Sequence, residues 1–200
     1  MADERRAGGR RKGMQLGLLL FNPRRFFDER VASSPERMIP SVFIAMGIGL
    51  SAFAEMLAYR DFNDTATAIA FVIIAAVFAV GLSPVVFVLC YWLPVRIVAG
   101  SPARPWESGG YSLAPPAIGG FLMVLLAWVA PSGGDPATVP NVSVLYAVSS
   151  PALMALFSIW SLFILYQALL VHVLQQRARF AIAACILASA IANGLAWAAA

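Results

Sequence analysis

Few side chains of this sequence could do chemistry, and most of those few are embedded in apolar runs. Glu55 is the one carboxylate inside such a run, and an ionisable group there is expensive to bury and hence a candidate for function. It stands four residues before Tyr59. At 1.5 Å per residue that is about 6 Å from the end of the run, within reach of lipid headgroups. His172 is the sole histidine and closes another apolar run beside Gln175, Gln176, Arg177 and Arg179, where an imidazole could change the charge of a membrane surface near neutral pH. Glu55 and His172 fall at opposite ends of their runs, which excludes a direct ion pair or a simple proton relay. Asn193, in the last apolar run, could supply an interhelical hydrogen bond.

Catalytic constellations are missing from the pattern. Gly81-Leu82-Ser83 looks superficially like a nucleophile turn, with His172 as its base, but Pro84 follows and no glycine lets the backbone approach an oxyanion. No Gly-rich phosphate loop, carboxylate pair or metal-spaced ligand cluster occurs. Cys90 and Cys185 each lie in an apolar run, where a thiol behaves as a small hydrophobe. The expectation is a chain with no catalytic, cofactor-binding or metal-binding residues, and hence no enzyme.

The elements that must position these residues are set by composition. Of 200 residues 60% are hydrophobic and only 12% charged, too apolar for a water-soluble core. A hydrocarbon layer about 30 Å thick needs about 20 apolar helical residues. Five stretches meet that requirement: 39–59, 66–92, 111–130, 144–174 and 180–197. The fold class expected is all-α, a five-helix transmembrane bundle. Pro84 should kink the second span and Pro94 should end it. Ser33-Ser34-Pro35-Glu36 has the form of a cap that starts the first span one turn before the membrane.

Upstream, Asn22-Pro23 should open a short helix from Arg24 to Val31 that lies in the interface, with Phe26, Phe27 and Val31 on its apolar face and Leu18, Leu19, Leu20 and Phe21 leading in. Residues 1–17 form a basic tail whose first dozen residues have no apolar pattern and should be disordered. The organisation expected is therefore a tail, an amphipathic segment over 18–37 and a membrane domain over 38–200.

Nine of the fourteen Lys/Arg precede residue 38. Attraction to anionic lipid headgroups accounts for that cluster more simply than nucleic acid does. Counted by loop, thirteen basic residues fall on one side of the membrane and one on the other. The asymmetry predicts a cytoplasmic N-terminus and, after five crossings, a C-terminus on the opposite side. Tyr59, Tyr91, Trp92, Trp106, Tyr111, Trp128, Tyr146 and Trp197 sit near span ends, as an aromatic belt would. Small residues in the first (Gly47, Gly49, Ser51), second (Ala75, Ala76, Ala79, Gly81) and fifth spans (Ala181, Ala183, Ala184, Ala188, Ala192) should let helices approach closely, inside one bundle or between copies. Asn141-Val142-Ser143 matches a glycosylation sequon but lies too near the membrane to be a good acceptor, in a chain whose Ala- and Arg-rich composition suggests a bacterium.

The most distinctive local pattern runs from Gly100 to Pro116, where an inner loop re-enters the membrane. Within it, Gly110-Tyr111-Ser112-Leu113-Ala114-Pro115 resembles the Gly-Tyr-x-x-x-Pro signature of the Yip family, five-span membrane proteins whose eukaryotic members interact with Rab-type GTPases. The chain is also similar to bacterial relatives in Asn22-Pro23-Arg24-Arg25-Phe26-Phe27 before the first span and in the Trp-containing fourth span, Trp160 to Tyr166. The acidic Asp-Leu-Tyr-Gly-Pro motif of eukaryotic members is absent, and with it the sequence basis for GTPase binding. Gly110, Tyr111 and Pro115 carry over by match. The resemblance implies a multi-pass protein of the inner or plasma membrane, working as a non-enzymatic scaffold or membrane-organising factor with a membrane-protein partner or a second copy of itself. The alternative is a small transporter or permease subunit, for which Pro84, Glu55 and Asn193 would be the relevant features.

Overall fold

The protein is described here by a computed structural model over residues 16–31, 33–58, 65–129 and 144–199. Residues 1–15, which hold most of the basic tail, the sequon at 141–143 and Tyr59 lie outside the described residues.

Residues 16–21 are helical and lead to α1 (Pro23–Arg30). This helix starts as expected: the Asn22 side chain accepts the Arg25 N–H at 3.4 Å and Pro23 occupies the first turn. Phe26 and Phe27 are buried, whereas Val31, expected on the same face, is exposed. The cap expected at Ser33 works in the opposite sense. Ser33 Oγ donates to Arg30 O at 2.7 Å, so it finishes α1 rather than starting the next helix. The first span, α2 (Met38–Ala58), begins only after Pro35 and Glu36, because Glu36 is drawn back to Arg30.

The second span is α3 (Thr65–Phe87), a π-helical turn over Val88–Trp92 and α4 (Leu93–Val98). Pro84 deprives the Val80 carbonyl of its normal donor, and Ser83 Oγ supplies one at 2.8 Å. Pro94, expected to end this helix, does not. The wider π turn before it relieves the clash that a proline ring makes with the carbonyl four residues back, and helical structure continues to Val98.

A 3-10 turn (Ser101–Ala103) and α5 (Pro105–Ser112) then run into α6 (Ala114–Val129), with the break at Leu113. The apolar segment of membrane length is thus Ser101–Trp128, which starts ten residues before the expected third span and contains Glu107. Glu55 is therefore not the sole carboxylate of the spans. The fourth span is α7 (Val144–His172), and the fifth, α8 (Gln175–Ala199), begins before its expected start at Phe180, so that Arg177 and Arg179 are helical rather than in a loop. Among the described residues five helical segments are long and apolar enough to cross a membrane, and none forms a strand.

The core is built on α2, which packs against α3 on one side and α6 on the other; α6 in turn packs on α7. Close approach depends on glycine. A Cβ on Gly47 would stand 2.8 Å from the Leu113 carbonyl, and one on Gly120 would stand 2.8 Å from Leu50 Cβ. The last helix, α8, meets α7, α4 and the π turn, and among its described side chains the buried ones (Ala178, Ala181, Cys185) lie in its first half. The aromatic residues near the span ends differ in their surroundings. Trp128 is exposed, but Tyr91 stacks on Phe87 at 6.0 Å between ring centroids and Trp106 meets the same ring edge-on at 5.2 Å, inside the fold.

Candidate functional site

The largest network of paired polar groups among the described residues lies where the end of α1, a helix that packs on α7, faces the side chains of α5. Arg30, from the last turn of α1, donates from Nη2 to Glu36 and from Nε to Glu107 at 3.2 Å. Arg104 donates to the other Glu107 oxygen at 3.5 Å. Tyr111 donates its hydroxyl to Glu36 Oε2 at 2.7 Å. Glu107 is only 3% exposed, so its charge is tolerable only because both guanidinium groups face it. Burial works against the charge of Arg30, but the Tyr111 hydroxyl, Glu36 and Glu107 outweigh it and hold the guanidinium above its ordinary range.

Arg104 performs a second task. It sits in the left-handed region at φ 45°, which costs a non-glycine residue about 1–2 kcal/mol. In that conformation its guanidinium reaches three backbone carbonyls at the end of α1: Arg30 O at 3.1 Å, Val31 O at 2.8 Å and Ser33 O at 2.8 Å. A cation beside the carbonyls of a helix C-terminus is favourable both as a cap and against the helix dipole. The strained residue therefore clamps α1 in place.

Aromatic rings complete the cluster. Tyr111 meets Phe26 edge-on at 5.1 Å, Phe27 at 6.1 Å and Phe43 at 6.0 Å. The Arg30 guanidinium lies 5.0 Å from the Tyr111 ring centroid and 5.1 Å from that of Phe26, within cation–π range. Gly110 makes this possible, since a Cβ there would stand 2.5 Å from Pro40 Cβ and force α2 away. Pro115 is buried in the first turn of α6, where a missing amide costs nothing. From the fourth span, Trp160 donates its indole N–H to Leu20 O at 3.2 Å. The three features by which the sequence resembles a known family, scattered over some 140 residues, thus converge on one site.

Of the other residues singled out from sequence, none joins this cluster. Glu55 and Asn193 are exposed on the outside of the bundle. His172 lines an open hollow of about 380 Å³ with Arg177 and Pro102. No hydrogen bond or ion pair joins these three to one another among the described residues. Four participants, Arg30, Glu36, Arg104 and Glu107, were not expected. The one legible hint was Arg104 three residues before Glu107, a spacing that pairs charges on a helix. Apart from Arg30 and Glu36, which are six residues apart, the groups that pair across the cluster are more than 70 residues away in sequence, which no local pattern encodes.

Beside the cluster is a cavity of about 270 Å³. Leu16, Leu19, Ile39 and Phe43 form its apolar wall, and Arg30, Glu36 and Tyr111 its polar end. Among the described residues no three His, Cys, Asp or Glu side chains are grouped as a metal ion would require.

No curated protein and no solved structure matches the chain. The family model described as Yip1 domain matches residues 16–198, from the helical lead-in before α1 to the last turn of α8. With the match spanning nearly the whole chain and the Gly110-Tyr111-x-x-x-Pro115 signature at the heart of the cluster, this membrane protein belongs to the Yip1-domain family.

Proposed function

We propose that this chain is a non-enzymatic scaffold or membrane-organising protein that works through helix contacts and through the face bearing α1. One observation carries this reading: Arg104 and Glu107 fix α1 on the start of the third span, and α1 presents Arg24, Arg25, Asp28 and Glu29 outward, all exposed. A surface held in one geometry loses little entropy when a partner docks, which favours recognition. The thirteen-to-one division of basic residues supports placing that face in the cytoplasm and the C-terminus on the other side of a bacterial inner membrane. There the exposed Arg24, Arg25 and Arg37 would add attraction to anionic lipids.

The test is photo-crosslinking in the membrane from position 25 or 28. Tyr111, although the signature residue, is buried and unsuited to report a partner. The same membrane protein should be captured from both positions and lost when Glu107→Ala frees α1. Purified protein that captures nothing but moves a solute across liposomes with saturable kinetics, in a manner abolished by Glu55→Gln, would make the chain a transporter.

A further inference from the structure

The cavity beside the cluster combines an apolar wall with a polar end whose charges cancel, and it lies between the lead-in to α1 and the start of the first span. Its volume is about 270 Å³. That is below the usual range for a whole organic ligand, roughly 300–1,000 Å³. It suits a headgroup with the first stretch of one acyl chain, the rest of the molecule lying outside.

The polar end has capacity for two opposite charges. A guanidinium has five N–H donors. Arg30 uses one on Glu36 and one on Glu107, which leaves donors for a phosphate oxygen. Both bonds to Glu36, from Arg30 and from Tyr111, fall on Oε2, so Oε1 is open to a cation among the described residues. Arg30, Arg104, Glu36 and Glu107 together sum to zero charge. A singly anionic head would therefore gain no net Coulomb attraction here, whereas a head with one phosphate and one ammonium matches both ends. The cation should be a primary ammonium. It can donate to the carboxylate, while a quaternary ammonium would have to rely on aromatic faces, and Arg30 already covers those of Tyr111 and Phe26.

We propose that this cavity is a site for a zwitterionic, primary-amine phospholipid of the phosphatidylethanolamine class, with the phosphate on Arg30, the ammonium on Glu36 and the chain along Leu19, Ile39 and Phe43. The inference stands apart from the scaffold reading, since a lipid can occupy the cavity whether or not a partner docks on α1.

The experiment is native mass spectrometry of the full chain, purified in detergent and incubated with equimolar phosphatidylethanolamine, phosphatidylcholine and phosphatidylglycerol of matched chains. Retention of phosphatidylethanolamine should exceed that of the other two by about tenfold, the worth of one charge-assisted hydrogen bond. Glu36→Gln should erase the preference. Because that change also touches the cluster, Ile39→Trp provides a second probe: Ile39 is 44% exposed, so a larger side chain fits without disturbing the ion pairs, and it should displace the chain and lower retention of phosphatidylethanolamine. Soluble phosphoethanolamine should not compete. Equal retention of all three lipids, retention unchanged by Ile39→Trp, or displacement of the lipid by free phosphoethanolamine would each overturn the assignment.

Discussion

Replacing Gly110 by alanine is the sharpest perturbation of the cluster, because two opposing effects can be compared. Helix propensity alone favours alanine by about 1 kcal/mol. Against that, the new Cβ would lie 2.5 Å from Pro40 Cβ, 3.0 Å from Pro40 Cα and 3.1 Å from Pro40 O. All three atoms belong to a proline ring or to backbone, so no side chain can rotate out of the way. Restoring ordinary contact at 3.4 Å or more requires α2 and α5 to separate by about 0.9 Å at this point. That movement carries Glu36, four residues before Pro40, away from Tyr111, with which it bonds at 2.7 Å. Overpacking of this kind costs about 1–3 kcal/mol, and a hydrogen bond to a charged group lost with it about 1.5–3 kcal/mol. The net expectation is a destabilisation of about 2 kcal/mol, or about 4–8 °C in Tm for a chain of this size. Thermal unfolding in detergent, followed by circular dichroism, measures it. Gly81→Ala is the internal reference, since nothing lies within 4 Å of the added Cβ there, and its Tm should be unchanged or slightly higher. A Gly110→Ala variant as stable as the parent, or a Gly81→Ala variant equally destabilised, would refute the reasoning.

Further outcomes follow from the same contacts. Tyr111→Phe keeps the ring packing and loses only the bond to the Glu36 carboxylate, so it should cost about 1.5–3 kcal/mol, while Tyr111→Ala, which removes a fully packed ring as well, should cost about 3–5 kcal/mol or more in the same unfolding assay. Arg104→Gly relieves the left-handed strain but removes the clamp on α1; limited trypsin digestion at Arg24, Arg25 or Arg30 should accelerate by at least about tenfold, and unchanged cleavage would mean that the three carbonyl bonds contribute nothing. Ser83→Ala strands the Val80 carbonyl that Pro84 leaves without a donor and should cost about 1–2 kcal/mol, an effect that should vanish in a Ser83→Ala/Pro84→Ala double variant, where the backbone bond is restored.

The span count and the capped start of α1 could be read from the sequence because each depends on neighbours in the chain: runs of about 20 apolar residues in one case, Asn22 before Pro23 in the other. Gly110, Tyr111 and Pro115 were legible as a pattern without a reason, since the reason is Pro40 on another helix and Glu36 in the segment before it. Glu107 falls within the stretch from Gly100 to Pro116 that reads as a re-entering loop, yet Pro105, Glu107, Gly109 and Gly110 are all buried in a helix packed on the first span. Ser33 followed three residues later by Glu36 satisfies the local rule for a helix start, and tertiary attraction to Arg30 overrode it. Pro94 misled for a related reason: the π turn that accommodates it leaves no mark in hydropathy.

The clamp on α1 also dictates an order of events during synthesis. Glu36 and Tyr111 are 75 positions apart, and Arg30 is 77 from Glu107. At about 5–20 residues per second, α1 leaves the ribosome roughly 4–15 s before the groups that will hold it. Throughout that interval its buried phenylalanines lack Tyr111 and the fourth span to cover them, and lipid can take their place. The helix therefore meets the bilayer first and its own fold second, so any change that hastens its association with other chains in those seconds acts before the finished structure can resist.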